Sequence, residues 1–309
     1  MNNKQPKQPS YDLIIYISSS GPNVLFDNLK DTIQSIRSKV GNEYKFGFYF
    51  SVDKEETAEY INSLMLPNQL VGIQVNDWSW AKNFNTFFEI QGHRSEYIMI
   101  SHDDLTIDTH NFLGKTKAEI QGIENTIGWI TFTSDGYYMR DGIPMSNSVR
   151  EGFSTDRGNY PYCFECHNFK QGDQVDFGKF DLPKKAVKVH APFSHIMLIK
   201  SDNLRRLSKI EDWTKYTMLI EEDSGLEALK AGLFNIWVPG VKYTHPLRHS
   251  QKPQGNRFEE EAHKAFIKKW GFDCHFYDDR TIHKICCEYP NTNIPLTSGR
   301  TTFDYQYLR

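Results

Sequence analysis

Four short apolar runs, separated by amphipathic stretches, occupy the first hundred residues, and this alternation constrains the fold more than any other feature. Leu13-Ile14-Ile15-Tyr16-Ile17, Phe46–Val52, Val71–Val75 and Tyr97–Ser101 are rich in β-branched and aromatic residues. Runs of this length and make-up read as buried strands. After the first, Leu25, Leu29, Ile33, Ile36 and Val40 recur at steps of three and four, so a helix is expected up to Gly41. Further helices are expected over Glu55–Leu64 and Trp80–Gln91. Strands alternating with helices predict an α/β fold, with a mostly parallel central sheet covered on both faces.

The second half is less regular. Strands are expected over Gly128–Thr133, His195–Lys200 and Ile236–Val238. A helix should begin at Asn203, and another should run over Asp223–Ala231 with Gly232 as its stop. A last helix is expected over Glu259–Trp270. Residues 134–186 hold many Gly, Asp, Tyr and Pro without a period and read as a long functional loop. The expected plan is a disordered tail over 1–10, one domain over 11–250, and a C-terminal helix and extension over 251–309 packed on it.

Composition narrows the function class. A formal net charge of −3 excludes a globally basic nucleic-acid binder. Hydrophobic residues at 39% supply a real core, and no run of 18 apolar residues exists to span a membrane. Met1 to Ser10 is polar and lacks the apolar region of a secretory signal, so a soluble cytoplasmic protein is expected. The odd count of 5 Cys fits reduced thiols better than a disulfide framework. Aromatic residues reach 14%, which suits sugars and bases, although a biased composition is the plainer explanation.

Three polar clusters carry chemistry. His102-Asp103-Asp104 follows the fourth strand, where open α/β sheets bind ligands. Two adjacent carboxylates repel unless a cation lies between them, and carboxylate with phosphate oxygens is a usual set for Mg2+ or Mn2+. A solvated acidic turn is the plain alternative. Glu221-Glu222-Asp223 precedes Ser224-Gly225-Leu226, so Asp223 is either a general base or an N-cap, and the two roles are compatible. His245 follows the last strand and suits a cation or a diphosphate oxygen, with Arg248 and His249 nearby. Cys163-Phe164-Glu165-Cys166-His167 has the haem-attachment spacing and also offers three zinc ligands, without a second C-x-x-C to complete a site. No dinucleotide fingerprint, P-loop or nucleophile elbow is present.

Taken in order, these pieces resemble the GT-A glycosyltransferases, especially the inverting family 2, over roughly residues 11–248. Glu222-Asp223-Ser224-Gly225-Leu226, then Leu229, Ala231 and Gly232, is similar to the family's E-D-x-x-L-x-x-x-L-x-x-A-G. Ile100-Ser101-His102-Asp103-Asp104 resembles its D-x-D segment, with Ser101 in place of the first Asp. Trp80 to Asn85, His195 to Leu207, and Val238-Pro239 followed by His245 resemble further family elements. The resemblance implies a nucleotide-sugar-binding half over 11–110 and an acceptor-binding half over 111–250, with 134–186 as acceptor loop or lid. It implies a divalent cation, Mn2+ or Mg2+, at Asp103, Asp104 and His245. Asp223 would be the catalytic base with Glu222 beside it. Ser18, Asp53, Lys82, Asn83 and His102 would contact the donor, and His195 and Glu221 the acceptor. Trp78, Trp80, Trp129 or the aromatics of residues 137–164 would stack on a sugar. The implied partners are a nucleotide-sugar, a UDP-sugar foremost, and a glycan or other hydroxyl acceptor. No nucleic acid is expected, and membrane contact would be peripheral only. The family's D-D-x-S-x-D loop is reduced here to Asp53-Lys54-Glu55, and the Q-x-x-R-W element of processive synthases is missing, which points to single additions. The rival readings are a degenerate sugar- or nucleotide-binding protein on the same fold, or a sugar-phosphate nucleotidyltransferase.

Overall fold

The computed structural model describes residues 10–19, 26–76, 79–134, 137–140, 143–146, 153–154, 158–159, 185–189, 195–211, 220–244 and 255–271. The first half alternates β1 (Tyr11–Ser19), α1 (Phe26–Lys39), β2 (Phe46–Val52), α2 (Glu55–Leu64), β3 (Leu70–Val75), α3 (Trp80–Gln91) and β4 (Ser95–Ser101). Then come β5 (Thr106–Ile107), α4 (Phe112–Glu119) and β6 (Ile127–Ser134). Two short hairpins follow, β7 (Tyr137–Arg140) with β8 (Ile143–Ser146), and β9 (Phe153–Ser154) with β10 (Gly158–Asn159). The chain continues through β11 (Val187–Val189), β12 (Ile196–Lys200), α5 (Ser201–Leu204), α6 (Ile220–Lys230), β13 (Phe234–Thr244) and α7 (Gly255–Trp270).

Among the described residues, nine strands form one sheet in the order β11-β13-β6-β12-β4-β1-β2-β3, with β5 on the flank of β13. β3, β2, β1 and β4 are mutually parallel, as the alternation predicts. The other half is mixed: β12 runs antiparallel to both β4 and β6, while β13 is parallel to β6. The reversal matters for the site, because it brings the start of β12 to the carboxyl end of β4.

Side chains alternate across the sheet with period two. Leu13, Ile15 and Ile17 join Phe48, Phe50, Tyr97, Met99 and Leu198 in one core, closed by Leu29, Ile33 and Ile36 of α1 and Phe112 and Leu113 of α4. Ile14 and Tyr16 join Tyr49, Ile98, Ile100, Met197 and Ile199 in a second core, closed by Trp80, Phe84 and Phe87 of α3 and by Ile220 and Ala228 of α6. Each fully buried side chain of this size contributes about 1.5–3 kcal/mol.

Helix ends carry recognisable chemistry. Ser79 caps α3 by accepting from the Lys82 amide at 3.4 Å. α6 ends as expected at Gly232, whose φ of 72° suits glycine. Its amide donates to Leu229 O at 3.0 Å, and that of Leu233 to Ala228 O at 2.9 Å, a Schellman pair. The beginning of α6 differs from the expectation. It starts at Ile220, three residues earlier, so Asp223 lies inside the helix rather than at its N-cap. Within residues 134–186, expected to be loop, β7 to β10 form two small ladders, because strands of two to four residues show no period in sequence. The segments expected as tail (1–9), most of the acceptor loop, the Cys163–His167 motif, and the chain after 271 lie outside the described residues.

Candidate active site

The carboxyl ends of β1, β2 and β4 lie side by side, since Ser18 pairs with Ser51, Ser19 with Val52 and Ile17 with Ser101. In an open sheet the crevice beyond such ends is where ligands bind. The acidic turn His102-Asp103-Asp104 leaves β4 at this point. Ser19 Oγ donates to Asp103 Oδ2 at 2.5 Å, tying the turn to β1. Behind it, Thr32 Oγ1 of α1 donates to Leu105 O at 2.7 Å and accepts from Leu105 N at 3.1 Å. Ser35 Oγ accepts from Ile107 N at 3.1 Å. The turn is therefore held from two sides by buried hydroxyls, and Asp104 is itself buried.

His195 immediately precedes β12 and meets this turn. Its carbonyl accepts the His102 amide at 2.9 Å, and the two imidazole ring centres lie 4.8 Å apart. The residue expected near the acceptor and the one expected near the donor are thus neighbours, a consequence of β12 running antiparallel to β4.

A polar network covers the same ends on the α3 face. Tyr49 Oη donates to Gln74 Oε1 at 3.2 Å, and Gln74 Nε2 donates to Asn83 Oδ1 at 3.3 Å. The Tyr16 hydroxyl has those of Ser51 and Ser18 beside it without a well-aligned hydrogen bond, and burial pushes its phenol far above the ordinary tyrosine value. Asn83 Nδ2, Ser18 Oγ and Ser51 Oγ are buried without a partner among the described residues. Buried groups of this kind carry a desolvation penalty that a bound polar ligand relieves. Of the expected donor residues, Ser18 and Asn83 belong to this network, whereas Asp53 and Lys82 are exposed beside it. Tyr16, Tyr49, Ser51 and Gln74 were not singled out from sequence. The available signal was the strand period, which puts Tyr16 with Ser18, and Tyr49 with Ser51, on one face.

Asp223, expected as the base, is 2% exposed. Its helix, α6, packs on β6 and β13. Asn235 of β13 joins them: its Oδ1 accepts the Trp129 amide at 2.9 Å and its Nδ2 donates to Gly225 O at 3.1 Å. Trp270 Nε1 donates to Asp223 Oδ1 at 2.8 Å, and Lys269 Nζ forms an ion pair with the same oxygen at 2.8 Å. Lys269 also pairs with Glu227 at 2.9 Å and with Glu211 at 3.5 Å. Burial raises the Asp223 carboxyl above the ordinary aspartate value, against the lowering effect of Lys269 and Trp270. Burial works to lower the Lys269 ammonium, but Asp223 and Glu227 outweigh it and leave it above the ordinary lysine value. A carboxylate poised above its usual range suits a general base.

Trp80 and Trp129, expected as sugar platforms, are core residues. Trp129 is 0% exposed, and Trp80 stacks on Phe84 at 5.5 Å under the sheet, so neither ring face meets a ligand. Trp78 and His245 lie outside the described residues, as does the side chain of Glu222. Glu221 is partly exposed on the first turn of α6.

Asp103 and Asp104 offer hard oxygen donors, which fit Mg2+ or Mn2+. No Lys or Arg occurs between Glu96 and Gly114 to neutralise them within the turn. Among the described residues no group of three His, Cys, Asp or Glu side chains is arranged to hold a metal ion. The carboxylates fit a cation whose remaining ligands come from a phosphate, from water or from residues outside that set. No described helix is long and apolar enough to cross a membrane.

No protein-family model matches the chain, and no curated protein matches it. Solved structures do match in shape. One is GalNAc-T7 with UDP, GalNAc and Mn2+, at a TM-score of 0.59 and 12% identity, covering 92% of this chain and 52% of that one. S. aureus TarS matches at 0.55 and 10% identity, covering 93% and 44%. The mannosyltransferase PcManGT from Pyrobaculum calidifontis, in complex with GDP-Man and Mn2+, matches at 0.52 and 10% identity, covering 86% and 64%. The chain spans about half the length of the first two. It has the GT-A glycosyltransferase fold.

Proposed function

We propose that the protein is a cytoplasmic glycosyltransferase that moves a sugar from a nucleoside-diphosphate sugar, a UDP-sugar foremost, to a hydroxyl of a glycan or related acceptor. The observation that carries this reading is the acidic turn on this fold: Asp103 and Asp104 leave β4 at the crevice end of the sheet, with Ser19 bonded to Asp103 at 2.5 Å. The polar network of Ser18, Ser51 and Asn83 supports a nucleoside pocket next to it, with Asp53, Lys82 and His102 at its margin.

Asp103 and Asp104 would hold a divalent cation with His245, which when bound neutralises charge on the departing diphosphate. Asp223 takes the proton of the acceptor hydroxyl as that oxygen attacks the anomeric carbon. The bond from that carbon to the phosphate oxygen breaks, and the nucleoside diphosphate leaves with the electron pair. Attack opposite the leaving group inverts the anomeric centre. Glu222, Glu221 and His195 are assigned to the acceptor side. The matched structures that carry UDP or GDP-Man with Mn2+ support a nucleotide and a cation of this kind.

A thermal-shift series tests the donor site. Wild type and Asp103→Ala are melted with UDP, GDP, CMP or dTDP, each with and without Mn2+. A ligand at about 100 times its Kd adds about 2.7 kcal/mol, a shift of several degrees for a domain of this size. The expected result is such a shift for one nucleotide, dependent on Mn2+ and lost in Asp103→Ala. No shift with any nucleotide overturns the donor site and favours a degenerate GT-A-fold protein.

A further inference from the structure

The C-terminal helix reaches into the site from outside the alternating β/α part. Its last turn places Lys269 and Trp270 against Asp223, and both contacts fall on Oδ1, each at 2.8 Å. Among the described residues no hydrogen bond falls on Oδ2 of this almost fully buried carboxylate. We propose that Lys269 and Trp270 are positioning residues for Asp223, gripping Oδ1 so that Oδ2 is the oxygen that takes the acceptor's proton. This inference rests on the transferase reading, in which Asp223 is the base.

A lone carboxylate at the start of a helix rotates between rotamers. An indole N–H and an ammonium on the same oxygen remove that freedom, and neither donor competes for the other oxygen. The grip is itself anchored. Ala262 and Phe266 of α7 are fully buried, the Lys269 ammonium lies 5.2 Å from the centre of the Trp270 ring, and that of Lys230 lies 5.9 Å from it. Lys269 also serves Glu227, one turn along α6, and half-exposed Glu211. Among the described residues the Lys269 ammonium is shared by the carboxylates of Asp223, Glu227 and Glu211, and Lys230 lies 4.0 Å from Glu227. Burial raises the Asp223 carboxyl, while Lys269 and, more weakly, Glu227 pull it in opposite directions, and this sets the direction of each substitution. Removing Lys269 leaves the base easier to protonate, and removing the Glu227 charge makes it harder.

The experiment reads two quantities on the full chain. One is the titration of Asp223, followed by carboxyl carbon resonances and identified by its absence in Asp223→Asn. The other is the pH profile of nucleoside-diphosphate release from UDP-glucose, UDP-N-acetylglucosamine and GDP-mannose with Mn2+, with water as the hydroxyl acceptor that takes the sugar and gives its proton to Asp223. In Lys269→Met both the titration and the acidic limb of kcat should move up by about 1–3 pH units. Lys269→Arg should restore them, and Glu227→Gln, which keeps shape, should move both down. Trp270→Phe should lower kcat at least tenfold with KM for the donor unchanged. A limb that ignores all of these substitutions while Asp223→Asn abolishes turnover overturns the positioning role and leaves the base. Turnover unaffected by Asp223→Asn, or none in wild type with any of the three donors, overturns the transferase reading and the positioning role together.

Discussion

Asp223 illustrates how one residue carries two burdens. Its carboxyl group is buried and paired, so it bears on stability as well as on the proposed chemistry. Asp223→Asn keeps the volume but removes the base, and turnover should fall by at least about a hundredfold, with the nucleotide-induced thermal shift retained. The same variant has a stability signature. Because the folded carboxyl titrates above the unfolded value of about 3.9, its contribution is fully present below that pH and is lost as pH rises through the folded value. The stability advantage of wild type over the variant, measured by urea unfolding at several pH values, should therefore shrink as pH rises above about 4. An advantage that grows with pH would contradict this. Asp103 was legible from its place after an apolar run. Its bond from Ser19 was not, because 84 residues separate the two and strand pairing alone brings them together.

At the scale of elements, the close approach of α6 to β6 decides where Asp223, the proposed base, sits. A Cβ at Gly128 would lie 2.6 Å from Ala228 Cβ and 2.7 Å from Asn235 Oδ1. Neither atom is the end of a flexible chain, so Gly128→Ala must push helix from strand. The expected loss is about 1–3 kcal/mol by denaturant unfolding, with a fall in kcat because Asp223 rides on the displaced helix. Full stability in that variant would show that the contact relaxes freely. Most elements of the first half were readable in advance: β2, α2 and α3 have the bounds their apolar periodicity gives. The short α4 and two-residue β5 were not, since Gly114 interrupts one and the other is below any period.

Across the whole molecule, the residues assigned to the proposed reaction come from both ends of the chain. Ser19 and Asp103 come from the first third, Asp223 from the last, and Lys269 and Trp270 from the C-terminal helix. If Asp223 is the base, seating that helix is a condition of activity. Phe266 is fully buried, and Phe266→Ala should cost about 3–5 kcal/mol and lower turnover. The Mn2+-dependent nucleotide shift should survive, because Asp103 and its supports belong to other elements. Loss of both would mean that the helix supports the whole fold.

The sequence by itself determined the β/α alternation, the two-faced core, the acidic turn after β4 and the acidic start of α6, because strand and helix periods and loop chemistry are local. Only the tertiary structure decided that β12 runs backwards and sets His195 beside His102, that Trp80 and Trp129 are core, and that Lys269 and Trp270 close on Asp223. Those outcomes depend on which distant faces meet. Burial and charge pairing between residues tens of positions apart set them, and no local pattern records such pairings.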